Sequence, residues 1–426
     1  MKRKYGTIGM LSLLLCACAG KNPTLSSSAP ISLSSDSASS SVSSDLSLPS
    51  PSSSVFSETV SSPNSGTKEE EPIVSLALAK KTALEGQDRV NDVGVYESDR
   101  KAELEVRLLA SLDAITTKAG YGNRYKLLVA NDEGSLYLKV GAEIYNRLKS
   151  QSGSCYRVRG TVSLYCGEAE ITVDEMPEKI EDRAYSIDFE ERTIEEIYTH
   201  LSQVTTNTKG CGFSSLTSFQ GKYLGAMDDA VLLFYDGDKI VQVHGDSKVK
   251  NGLNENEVYR IFGAMTMFNY KPGVEYVSSE RIQNGEEYAI DPTKLETIDR
   301  NCYSTYYEVD REDSYPEYSS FYQELKVFRG YVNLYYKNAG EYMVLDTVYQ
   351  DHYYSTYSAA SKEKALFLHN DSCVNLTTEK DRLACPLYEF VDRDAYVEMV
   401  VAPYLWNTQK YWQVFVLEDT IREIVQ

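Results

Sequence analysis

Histidine occurs only four times in this chain of 426 residues, and tryptophan only twice. No C-x-x-C pair is present and histidines are few, so no zinc site is expected. The G-x-S-x-G elbow, the H-E-x-x-H helix and the G-x-x-x-x-G-K-[ST] phosphate loop are missing as well. His244-Gly245-Asp246 lacks the companion histidine and aspartate clusters that a two-metal phosphoesterase requires. Asp351-His352 lies in a long polar stretch that defines no nucleophile. We assign no catalytic residue, no metal and no cofactor, and read the protein as not an enzyme. Cations are also in short supply. Lys and Arg total 43 against 63 Asp and Glu, giving a net charge of −20. Such a field repels phosphate-rich polymers and disfavours nucleic acid as a partner.

Long apolar runs are lacking too. The longest near the N-terminus, residues 8–15, is too short to span a bilayer. It follows Lys2, Arg3 and Lys4 and leads into Leu15-Cys16-Ala17-Cys18. This stretch resembles the lipobox of bacterial lipoprotein signal peptides, which are cleaved before an acylated cysteine. The resemblance implies a signal peptide over 1–17, a lipid such as palmitate on Cys18, and an extracytoplasmic protein anchored to a membrane. Residues 24–67 are mostly serine. They cannot bury enough surface to offset the entropy of ordering, so 18–70 is read as a lipid anchor followed by a disordered tether.

What the remainder does contain is repetition. CYRVRGTVSLY (155–165) and VYRIFGAMTMF (258–268) share Tyr-Arg-aliphatic-x-Gly followed by alternating apolar residues. A turn and a short strand follow each, at 170–173 and 274–277. Upstream, 104–115, 124–130 and 135–140 read as strands and 143–149 as a helix. The second copy gives 216–226, 230–235 and 239–244, then a poor helix at 247–253. A third copy places strands at 341–348, 365–369, 396–405 and 411–417, with a helix at 377–383. It lacks the glycine in strand four, although Phe328-Arg329-Gly330 echoes Phe219-Gln220-Gly221 of the second copy's first strand.

Strand, strand, strand, helix, strand, strand resembles the OB-fold, a five-stranded Greek-key barrel. The lead-in helices at 73–84 and 193–203 make the chain similar to the OB-fold domains of extracellular Firmicutes proteins, among them those attached to a secreted nuclease. Nothing here corresponds to that nuclease's catalytic domain. The expected fold is therefore mostly β: three tandem OB-fold-like barrels, at 71–186, 187–302 and 303–426, with short linking helices.

OB-folds bind ligands across strands two and three and through the loops after strands one and four. In the third copy those loops hold Tyr335, Tyr336, Tyr404, Trp406, Tyr411 and Trp412, an aromatic set suited to sugar rings or peptide side chains. The leading expectation is thus a cell-surface module that binds a glycan, a peptide or another envelope protein. A structural or assembly lipoprotein is the alternative, and an OB-fold nucleic-acid binder a more distant one. A purely structural role predicts flat barrel-to-barrel contacts in place of an aromatic groove. Six cysteines outside the lipobox suggest disulfides in an exported chain. Cys211 with Cys302 would clasp the second barrel, and Cys373 with Cys385 would close a loop in the third. Cys155 and Cys166, if both lie on one strand, are roughly 35 Å apart at about 3.3 Å per residue and cannot bond.

Overall fold

The computed structural model describes residues 71–426, except 91–94, 117–122, 166, 203–210, 228–229, 246, 269–270, 283–287, 299–322, 338–339, 350–364, 374–375, 392, 406–411 and 426. Cys18, the serine-rich stretch, Cys166 and Cys302 lie outside the described residues.

The first barrel is built from β1 (Val95–Thr116), β2 (Asn123–Asn131), β3 (Gly134–Val140), β4 (Cys155–Tyr165) and β5 (Glu168–Thr172). Their order is β1-β2-β3-β5-β4, and β4 pairs back onto β1 to close the sheet. Only β3 and β5 run parallel. Helix α1 (Leu76–Leu84) precedes the barrel, α2 (Ala142–Leu148) joins β3 to β4, and the short β6 (Glu178–Lys179) pairs antiparallel with β4.

The second barrel repeats the plan with β8 (Cys211–Ala226), β9 (Val231–Tyr235), β10 (Ile240–His244), β11 (Val258–Phe268) and β12 (Lys271–Ile282). It is preceded by β7 (Glu190–Glu191) and α3 (Ile194–Ser202), with α4 (Ser247–Gly252) between β10 and β11. The third uses β14 (Lys326–Lys337), β15 (Gly340–Asp346), β16 (Leu366–Leu368), β17 (Val397–Leu405) and β18 (Trp412–Val416), flanked by β13 (Thr297–Ile298) and β19 (Arg422–Glu423). Helix α5 (Glu379–Ala384) sits at the position of α2. In all three barrels strand three pairs in parallel with strand five, and strand four closes onto strand one. This is the strand order of the OB-fold, and three closed five-stranded barrels are present.

Each barrel encloses its own apolar core. Leu127, Val129, Val158 and Ile171 fill the first, Phe219, Phe234, Val241 and Ile261 the second, and Phe328, Leu345, Leu366 and Val401 the third. Closure also requires backbone crowding at one point of a long strand. A Cβ on Gly160 of β4 would lie 2.4 Å from the carbonyl oxygen of Thr172, and one on Gly263 of β11 2.3 Å from that of Glu275. In the third barrel this close approach has moved to strand one. There a Cβ on Gly330 would meet the Asp346 carbonyl at 2.3 Å.

Several boundaries differ from the sequence reading, those of β1 and α1 among them. Strand β1 begins nine residues early, through a polar stretch without apolar alternation, because 95–103 pairs with the far half of β4. Helix α1 begins at Leu76 rather than near Pro72. The Ser75 hydroxyl caps it by accepting from the Leu78 N–H, while Ile73 bridges to β1 at Ala102 and holds the chain extended. Cys373 and Cys385 are joined by a disulfide across α5. Opening it by Cys373→Ser should cost about 3 kcal/mol, the value for a loop of about that length. A denaturant series on the variant checks this. Cys155 carries a free, buried thiol that accepts from the Arg183 N–H at 3.3 Å.

Candidate functional site

The outer face of strands two and three is where an OB-fold presents a ligand site. Side chains alternate across a strand, so Leu127 and Val129 of β2 point inward while Lys126, Leu128 and Ala130 point outward. On the neighbouring strand Tyr137 shares that outer face. None of these is open to solvent. Leu128, Ala130 and Tyr137 pack with Leu216 and Ala264 of the second barrel in one apolar cluster, joined by the half-buried Ile187, Phe189 and Val277. Polar contacts rim the junction. The backbone and hydroxyl of Ser214 donate to one Glu168 oxygen at 3.1 and 2.8 Å, and Lys80 Nζ donates to Ser214 Oγ at 3.2 Å. Burial, with Glu275, Glu168 and Glu170 adding to it, pushes the Tyr137 phenol well above its ordinary pKa.

The second barrel's equivalent face has the same fate. Val231, Leu233 and Tyr235 of β9 and Ile240 of β10 point outward and pack on Leu325, Val327, Val400, Ala402, Phe415 and Leu417 of the third barrel. Gly225, at φ +138°, sits in a bulge of β8 and leaves room for the Phe415 ring, which a Cβ would meet at 2.8 Å. At the edge of this interface Lys239 donates to Glu324 at 2.6 Å, and Lys326 donates to Glu324 and Glu296 at 2.9 and 2.8 Å. Burial works against the Lys326 charge, but these two carboxylates outweigh it and hold its pKa above the usual lysine value.

The contacts run head to tail, since the strand-two and strand-three face of each barrel receives the strand-one and strand-four flank of the next. The corresponding flank of the first barrel differs in chemistry. Where the second barrel pairs Leu216 with Ala264, the first pairs Lys101 with Thr161. Beyond it Arg159 donates to Glu103 at 3.0 Å, and Arg157 donates to Glu105 at 2.9 Å and Glu178 at 3.0 Å. This exposed ion-pair lattice resembles the polar outer face of a terminal repeat.

On the third barrel the outer face of strands two and three carries Tyr342, Val344 and Phe367. Tyr335 of β14 stacks on Tyr342 with ring centroids 5.2 Å apart and meets Phe367 edge-on at 5.5 Å. The chain leaving β15 turns back over this face: Asn333 Nδ2 donates to the Val348 carbonyl at 3.2 Å, and Tyr349 packs on Tyr331 at 5.6 Å. Tyr331 also meets Tyr396 at 5.2 Å.

Of the six aromatic residues expected at a ligand site, Tyr335 is buried at 6 % exposure. Tyr404 pairs with Gln413 and Leu405 with Trp412 in the hairpin ladder. The side chains of Tyr336, Tyr404 and Trp412, and the whole of Trp406 and Tyr411, lie outside the described residues. The inter-barrel faces were not singled out from the sequence. Their signal was the unbroken apolar run Val231–Tyr235, which marks a strand buried on both sides. No metal-binding group of three or more candidate ligands is present among the described residues.

No family model matches the chain, and no curated protein matches it. Among solved structures, it is similar to the Ifi202 HINa domain in complex with 20-base-pair double-stranded DNA. There identity is 14 %, coverage 44 % of this chain and 98 % of that one, and the TM-score 0.24. A replication protein A heterotrimer bound to single-stranded DNA matches at 10 % identity, covering 76 % and 94 %, with a TM-score of 0.27. The hypothetical protein ygiW from E. coli matches at 14 % identity over 22 % and 98 %, with a TM-score of 0.17. Likenesses this distant do not bear on function, and the fold assignment rests on strand order and register.

Proposed function

We propose that this is a non-catalytic, lipid-anchored protein of the bacterial cell envelope, whose three barrels serve a structural or assembly role as one stacked unit. The observation that carries the reading is the use made of the strand-two and strand-three faces. In the first two barrels they are spent on apolar contact with the next barrel. A single-stranded nucleic acid needs an open basic groove with aromatic platforms. The faces that would provide one are buried, and the chain carries a net charge of −20. The full chain should therefore show no binding to a single-stranded DNA oligomer at physiological ionic strength. Tight, salt-sensitive binding in a fluorescence-anisotropy titration would overturn this part of the reading.

The anchor half of the proposal rests on Cys18 and its flanking residues. Replacing Cys18 by Ser should release the protein to the medium or leave it uncleaved, because acylation needs the thiol. A lipid analogue that still labelled the variant in growing cells would refute the assignment.

A second reading, recognition of a glycan or peptide by the third barrel, is favoured by the half-buried Tyr331, Tyr342, Tyr349 and Tyr396. Tyrosines that keep a polar edge accessible suit stacking on sugar or peptide groups. Equal retention of the unaltered chain and Tyr342→Ala on glycan and peptide arrays would reject it.

A further inference from the structure

Lys126 and Glu170 form an ion pair in which both side chains are wholly removed from solvent, with Nζ 2.5 Å from Oε1. They do not sit on adjacent strands. Lys126 of β2 pairs with Lys139 of β3, and Glu170 of β5 pairs with Tyr137 of β3. The two side chains therefore meet over the outer face of the strand between them. The rings of Tyr137 and Tyr165 stand 5.1 and 4.8 Å from the Lys126 nitrogen. The second barrel covers the surrounding face through Leu216 and Ala264.

We propose that Lys126 and Glu170 are a covalent cross-linking site, at which amine and carboxyl condense to an amide. Transfer of one proton across the 2.5 Å contact turns the ion pair into a neutral amine and a neutral acid. Burial narrows the gap between these two states, because the charged pair has lost its hydration. The nitrogen attacks the carboxyl carbon. An N–C bond forms, the bond to the hydroxyl oxygen breaks, and that hydroxyl leaves as water with a proton from the amine. No oxidant, reductant or co-reactant is consumed.

The surroundings suit this step. Groups held in contact at a productive angle reach effective concentrations of roughly 10⁵–10⁸ M, and an enclosed pocket keeps out the water that would reverse the reaction. Tyr137 remains a hydroxyl donor because burial and the neighbouring Glu275, Glu168 and Glu170 keep its phenol protonated. The product staples β2 to β5 across β3, in a barrel with no described disulfide. The third barrel, by contrast, has Cys373–Cys385.

Peptide mapping of the reduced full chain tests the proposal without any variant. Trypsin cannot cut after an acylated lysine. A cross-linked chain therefore yields one branched species that joins residues 125–139 to residues 160–179, lighter than the two peptides by one water. Lys126→Arg keeps the positive charge but removes the nucleophile, and should abolish that species. Cleavage after Lys126, with 127–139 and 160–179 recovered as separate peptides of full mass, would overturn the proposal.

Discussion

Leu233→Asp should separate the unfolding of the second and third barrels, which their shared apolar interface should make melt together in the unaltered chain. Leu233 is 2 % exposed and lies among Leu325, Val400 and Phe415 of the neighbouring barrel. Removing it forfeits about 1.5–3 kcal/mol of apolar burial. A carboxylate with no cationic partner at that position adds several kcal/mol per ion of desolvation cost. The cheapest relief is for the interface to open and hydrate the charge, which leaves each closed barrel intact. Calorimetry should then resolve an additional transition and a lower first midpoint. Leu383→Asp, on a side chain 81 % exposed, should change stability by no more than about 0.5 kcal/mol. A single transition at the original midpoint for Leu233→Asp would show that the barrels are not coupled through this face.

Gly263→Ala should be among the most damaging single-methyl additions at the strand glycines. Its Cβ would lie 2.3 Å from the Glu275 carbonyl oxygen and 2.4 Å from Val274 Cγ1. The first of these is backbone in the closing strand, so no rotamer change relieves it. Overpacking typically costs about 1–3 kcal/mol, and more where the obstacle cannot move. Gly252 of α4 has open space around its Cβ position, and alanine there should stabilise by roughly 0.5–1 kcal/mol. Denaturant midpoints of the two variants should therefore move in opposite directions. If Gly263→Ala matched the unaltered chain, the close approach of β11 and β12 would be wrong.

The repeat was legible because barrel closure constrains sequence locally. The Tyr-Arg-x-x-Gly strands, the intervening turns and the apolar alternation each follow from a strand that must bend while burying one face. The third copy was readable even without its strand-four glycine, since Phe328-Arg329-Gly330 echoes Phe219-Gln220-Gly221 in the second copy's first strand. The use of the faces was less visible. A strand buried on both sides reads as a plain apolar run, and VLLFY at 231–235 is only five residues long. Its partners, such as Val400 and Phe415, lie well over a hundred residues away and follow no local pattern. The Lys126–Glu170 pair was hidden for another reason. With 63 acidic residues in the chain, no spacing distinguishes one glutamate that is buried against a lysine. The lead-in helix shows a local limit as well. Pro72 and the acidic residues before it suit a helix start, but the Ile73 bridge to β1 delays the helix until Ser75 can cap it.

The central claim is that the strand-two and strand-three faces of the first two barrels are closed by the barrels that follow them. Hydroxyl-radical footprinting of the native full chain, read residue by residue, tests it most directly. Leu128, Tyr137, Leu233 and Tyr235 all point away from their own barrel cores and are each less than 5 % exposed. They should stay unmodified until the chain unfolds, while Leu383 and Val74 react at once. Rapid modification of Leu128 and Leu233 in the native protein, at rates like that of Leu383, would mean that those faces are open and would contradict the stacked arrangement.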